Sequence, residues 1–113
     1  MTRQEFGLPE STLACVRRIL AANPNVEKAI LYGSRAKGNY KTGSDIDLTL
    51  LGAKLAYRDL ADIAGQLEES PIPYMVDLSL FTHIDNPSLI EHIERVGIVF
   101  YQRADAGDSQ MTP

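Results

Sequence analysis

One cysteine, Cys15, and two histidines, His83 and His92, are the only thiol and imidazole groups in the 113 residues. A lone thiol excludes an intrachain disulfide, and so sparse a set excludes a zinc cluster of the usual four-ligand kind. Positive charge is short as well. Eleven Lys and Arg stand against 15 Asp and Glu, a net charge of −4, so no overall field draws the chain to long nucleic acid. No window approaches the ~20 consecutive apolar residues that a membrane span needs, and the opening Met1-Thr2-Arg3-Gln4-Glu5 carries no apolar signal core. These absences predict a soluble domain of the reducing cytoplasm. What remains, 44% apolar and 23% charged, has the balance of one ordinary globular domain.

The apolar residues then divide the chain into elements. From Pro9 to Ala22, Leu13, Val16, Ile19 and Leu20 recur at helical spacing, with Arg17 and Arg18 on the other side, until Asn23-Pro24-Asn25 stops the pattern. Lys28 to Tyr32 reads as a short buried strand ending at Gly33. Ser44 to Leu51 alternates strictly, Ile46, Leu48 and Leu50 on one face and Asp45, Asp47 and Thr49 on the other, which predicts a half-buried strand. A second helix is expected from about Ala53 to Glu69, broken by Pro71-Ile72-Pro73. Tyr74 to Phe81 alternates again, with Met75, Asp77 and Ser79 opposite Val76, Leu78 and Leu80. Asn86-Pro87 has the form of a cap followed by proline at the first helical position, with Gly97 as the stop. Ile98 to Tyr101 is a candidate last strand. Residues 1–102 are read as one domain and 103–113 as a disordered polar tail.

The segment least like a core runs from Gly33 to Gly43. Gly33-Ser34, ten residues, then Asp45-Ile46-Asp47 is the informative spacing. Residues two apart on a strand share a face at roughly 7 Å, so Asp45 and Asp47 form a carboxylate pair able to grip a hard cation while Ile46 and Leu48 anchor the strand. Mg²⁺ typically takes one or two protein carboxylates and completes its shell with waters and substrate phosphates. A short helix beginning near Ser34 would aim backbone N–H groups at an anion, and Gly33 would let phosphates come close. Asp77, at a period-2 position of the other alternating strand, lands beside Asp45 and Asp47 if the two strands are neighbours. Three carboxylates can hold two metal ions across an in-line phosphoryl displacement, with Asp77 placed to take the proton of an acceptor hydroxyl.

Gly33-Ser34, the spacer, Asp45-x-Asp47 and a later Asp77 within Val76-Asp77-Leu78 resemble the minimal nucleotidyltransferases of the DNA polymerase β superfamily. Arg35-Ala36-Lys37-Gly38 fits the same pattern. The resemblance implies an α+β fold with a small mixed sheet flanked by helices. It also implies two Mg²⁺ ions on Asp45, Asp47 and Asp77, and ATP held at Gly33 and Ser34; Arg35 and Lys37 are secondary candidates for contacts to the phosphates or to an acidic partner surface. Short members of that family are typically encoded beside a HEPN-type toxin, and some transfer AMP from ATP to a tyrosine of the toxin, acting as its antitoxin.

Each residue also has a plainer reading. Arg35 and Lys37 in a polar loop are commonly just solvated. Asp59, Asp62, Glu68 and Glu69 serve the polar face of a helix, and Cys15 reads as a small core residue. Tyr32 and Tyr40 flank the loop and can stack on a base, but such tyrosines more often pack. His83 follows the third strand close to the site and His92 lies in a helix with no carboxylate pattern, and neither is given a role. So small a chain has little surface left for an acceptor, which favours a pocket shared with a partner protein over a small-molecule hydroxyl. The competing readings are an antitoxin acting by occlusion without catalysis and a subunit that only senses ATP.

Overall fold

The alternating segments pair with one another and bury the faces that their apolar residues define. The computed structural model describes residues 4–104. A hairpin of β1 (Gln4–Glu5) and β2 (Leu8–Pro9) opens the fold, followed by α1 (Glu10–Ala21), β3 (Lys28–Tyr32), α2 (Ser34–Lys37), β4 (Ile46–Leu51), α3 (Tyr57–Glu69), β5 (Val76–Leu80), α4 (Pro87–Val96) and β6 (Ile98–Gln102). A single 3-10 turn, Phe81–His83, follows β5. The main sheet has the order β5-β4-β3-β6. β3 runs antiparallel to β4 and β6, and β4 runs parallel to β5, so the sheet is mixed and flanked by helices as expected.

Period-2 alternation separates the two faces. Ala29 and Leu31 of β3, Ile46, Leu48 and Leu50 of β4, Leu80 of β5 and Phe100 of β6 form one core with Leu13, Val16 and Leu20 of α1 and Ile63 and Leu67 of α3. α4 packs against β3. Gly97, just past its end, comes against the side chain of Ile30, which belongs to the other face, so α4 covers the β3 side of that face. Asn86 caps α4 as its sequence predicts, its side chain accepting from the N–H groups of Ser88 (2.9 Å) and Leu89 (3.3 Å). Among the described residues no helix is long and apolar enough to cross a membrane.

The structure shortens several expected elements and adds one. β4 starts at Ile46, so Asp45 lies just before the strand rather than inside it. Gly52 to Ala56 form a turn, and α3 begins at Tyr57, where the Asp59 carboxylate accepts the Ala56 N–H at 2.9 Å. The same carboxylate accepts from the side-chain amides of Asn23 (3.2 Å) and Asn25 (3.3 Å), so Asp59 ties the α1–β3 turn to α3 instead of simply facing solvent. The hairpin was not expected; Phe6 and Gly7, at φ 58° and 73°, turn the chain so that Leu8 is fully buried. Of the predicted tail, only Arg103 and Ala104 fall within the described residues. The Arg103 N–H donates to the Glu27 carbonyl at 2.9 Å, and its guanidinium reaches the Pro24 carbonyl.

Candidate active site

The register across three strands builds the site. Tyr32 of β3 lies opposite Asp47 of β4, and Asp47 lies opposite Asp77 of β5, so the three side chains stand in a row on the face away from α1 and α3. Asp45 adjoins them at the entry to β4, where the Ile46 N–H donates to the Met75 carbonyl (2.9 Å) and joins the two parallel strands just ahead of the carboxylates. Asp45 and Asp77 are exposed and Asp47 is partly covered. The next row differs: Thr49 is fully buried, the Ser79 hydroxyl donates to it at 2.9 Å, and the 3-10 turn packs on β4. On this face the predicted half-buried strand is thus closed at Thr49 and partly open at Asp47 and at Leu51.

Burial pushes the Asp47 carboxyl above its ordinary value, and the negative charges of Asp77 and then Asp45 push it further. Burial likewise raises the Tyr32 phenol, Ser79 opposing and the charges of Asp77 and Asp47 adding to the rise, so Tyr32 stays neutral beside the carboxylates. A row of mutually repelling carboxylates, one of them partly desolvated, is the donor set that a hard divalent cation relieves, and oxygen ligands suit Mg²⁺. Among the described residues no three acidic, imidazole or thiol side chains converge on one point as a ready-made cage. That fits an ion held by one or two carboxylates with substrate phosphate completing the shell, rather than an all-protein site.

The Gly33-Ser34 turn abuts this row. Gly33 sits at φ 75°, ψ −156°, a conformation essentially confined to glycine, and a Cβ there would collide with the Asp47 carboxylate. The glycine thus allows backbone and carboxylate to share one small volume. α2 is a single turn whose first hydrogen bond joins the Lys37 N–H to the Gly33 carbonyl (3.1 Å), so the N–H groups of Ser34, Arg35 and Ala36 come before any helical partner. The Gly33 N–H is engaged: it donates to Nε2 of His92 at 3.2 Å. His92, given no role from the sequence, is therefore part of the turn's surroundings. No local pattern could reveal it, since the two residues are 59 positions apart.

Arg35 is placed otherwise than the sequence suggests. It is only 2% exposed, and its guanidinium donates to the carbonyls of Phe6 (2.9 Å), Ser44 (3.1 and 2.8 Å) and Thr42 (3.5 Å). The rings of Tyr74 and Tyr40 stack against it at 5.1 and 5.2 Å. The reach expected toward a phosphate is taken up by backbone, and the residue clips the N-terminal hairpin to the loop that delivers Asp45. Lys37 is exposed at the end of α2. Of the two tyrosines that flank the loop, Tyr32 is buried at 9% exposure, whereas Tyr40 is exposed at 37% with its ring over Gly7 and Arg35. His83 stacks with Tyr57 at 4.7 Å, beyond the far end of β5 from Asp77.

The family described as "Polymerase beta, Nucleotidyltransferase" matches residues 15–106. No curated protein matches the sequence. Among solved structures, a toxin–antitoxin complex with AMP-PNP contains a chain 22% identical, with a TM-score of 0.66 over 86% of this chain and 78% of that one. A tri-AMPylated Shewanella oneidensis HEPN toxin in complex with MNT antitoxin gives 19% identity and a TM-score of 0.62 over 88% and 77%. The toxin–antitoxin MntA-HepT gives 17% and 0.55 over 88% and 78%. At these identities the likeness is one of fold.

Proposed function

The chain belongs to the polymerase β nucleotidyltransferase family, and from that premise we propose that it moves AMP from ATP to a hydroxyl of a partner protein. The acceptor is a tyrosine of a HEPN-type toxin, and the chain acts as that toxin's antitoxin. The observation that carries this reading is the row of Asp47 and Asp77 in register on adjacent strands, with Asp45 beside them and the Gly33 turn against Asp47. Asp45, Asp47 and Asp77 would hold two Mg²⁺ ions, which when bound supply charge neutralisation at the phosphates. Ser34 and the N–H groups at the start of α2 hold the terminal phosphates. Lys37, exposed beside them, adds positive charge, while Arg35 keeps the loop in place. The acceptor oxygen attacks the α-phosphorus of ATP, the bond to pyrophosphate breaks, and the hydroxyl proton passes to the Asp77 carboxylate. Products are the adenylylated tyrosine and pyrophosphate.

The open end of the sheet supports a protein acceptor. Two grooves of the described residues lie away from the aspartates: one of about 590 Å³ between α3 and the start of β5, lined by Leu67, Ile72 and Tyr74, and one of about 610 Å³ beside Gly7 and Tyr40. A small molecule would need walls around the aspartates, whereas a folded partner brings its own. Similar chains in solved complexes with a HEPN toxin and with AMP-PNP favour the same choice.

Intact-mass analysis of a HEPN-type toxin encoded beside this chain, after incubation with it, ATP and Mg²⁺, tests the reading. One or more added adenylyl groups, absent with an Asp45→Asn/Asp47→Asn double variant, are expected. An unmodified toxin that is nonetheless bound and silenced would replace catalysis with occlusion.

A further inference from the structure

The Gly33-Ser34 turn is held between two elements that meet only in the folded chain. On one side the Asp47 carboxylate fills the space where a Cβ of residue 33 would stand. On the other, α4 brings His92 up so that Nε2 accepts the Gly33 N–H at 3.2 Å, while the His92 ring meets Tyr32 edge-on at 6.2 Å and 81°. Glycine at φ 75° and ψ −156° has more backbone freedom to lose than any other residue, so the turn's own sequence does not hold that conformation. A bond from outside can. It also directs the Gly33 N–H toward α4, leaving the N–H groups of Ser34, Arg35 and Ala36 ahead of the first helical bond.

We propose that His92 is a positioning residue that sets the nucleotide-binding turn through Nε2, coupling α4 to the phosphate site. This rests on the nucleotide reading of that turn. Nε2 as acceptor fixes the neutral tautomer with its proton on Nδ1. What matters is then an acceptor at that point and not an aromatic ring, which separates positioning from packing. Gln carries an amide oxygen close to the place of Nε2, and Phe keeps the ring against Tyr32 without an acceptor.

Binding of AMP-PNP with Mg²⁺ by calorimetry, and amide exchange at Gly33 in the ligand-free protein, test the assignment on the full chain. His92→Phe should weaken binding about tenfold, the equivalent of one hydrogen bond, and His92→Gln should stay within about threefold of the parent. Gly33 exchange should quicken in His92→Phe and not in His92→Gln. A strong loss in His92→Gln with a near-parental His92→Phe would make the ring's packing the operative feature and overturn the proposal. So would equal weakening by both, or parental binding and exchange in both. If the parent itself binds no AMP-PNP while Gly33 exchange still follows the acceptor, the nucleotide reading falls and the bond between α4 and the turn stands.

Discussion

The two faces of the sheet obey different rules. Toward α1 and α3, Leu31, Ile46 and Leu48 are fully buried among other apolar side chains, and the face stabilises the fold by removing them from water. On the other face stand Tyr32, Asp47 and Asp77, and at Tyr32 and Asp47 burial and like charge act against the ionised form. The first face holds the strands together. The second keeps repelling groups in register, which the first makes tolerable, and it is the face that a cation would relieve.

Substitutions on the two faces should therefore differ in kind. The largest effect is expected from Asp47→Asn or Asp77→Asn on transfer, a loss of roughly 10³-fold, since bound metal supplies several kcal/mol of charge stabilisation. Initial rates of adenylylation measure it, and a loss under tenfold for either would remove that residue from the site. Next, Leu48→Ala should lower unfolding free energy by about 3 kcal/mol in denaturant titrations, the usual result of emptying a buried leucine site. Arg35→Met, in α2, should lose about 2 kcal/mol of stability by removing charge-assisted bonds to the Phe6 and Ser44 carbonyls, and should slow transfer by loosening the approach to Asp45. A variant that kept stability and lost only ATP affinity would return Arg35 to the phosphate-binding role its position in the sequence suggested.

The smallest effect has the opposite sign. Because the Asp47 carboxyl is raised in the fold, its contribution favours the folded state at low pH and is lost as pH rises through the raised value. Asp47→Asn should therefore raise the metal-free Tm slightly near pH 7. The difference should close as pH falls below the ordinary carboxylate value of 3.8, where both side chains are neutral. Solvent screening at this partly open position keeps the gain small.

How much could be read in advance follows the same division. Alternation in Ser44 to Leu51 and Tyr74 to Phe81 marks the strands and the apolar face, because period 2 is a local property. It also put Asp47 and Asp77 on one face, but their adjacency waited for the parallel pairing of β4 with β5. What stayed hidden depends on contacts between distant residues. His92 on Gly33 and Arg35 on Phe6 are polar bonds across 59 and 29 positions, and no periodicity marks them. The N-terminal hairpin was missed for a different reason: it has two residues per strand and turns through Phe6, which is rarely found at positive φ.

The most direct test of the account is thermal unfolding of the parent and Asp47→Asn at pH 7, first without divalent metal and then with Mg²⁺ and AMP-PNP. A crossing is expected: the variant melts above the parent in metal-free buffer, and the parent alone rises when the ligands are added, because they bind the folded chain through Asp47. A variant that melts below the parent without metal, or that gains as much as the parent from Mg²⁺ and AMP-PNP, would contradict the claim that this face is built around a bound cation.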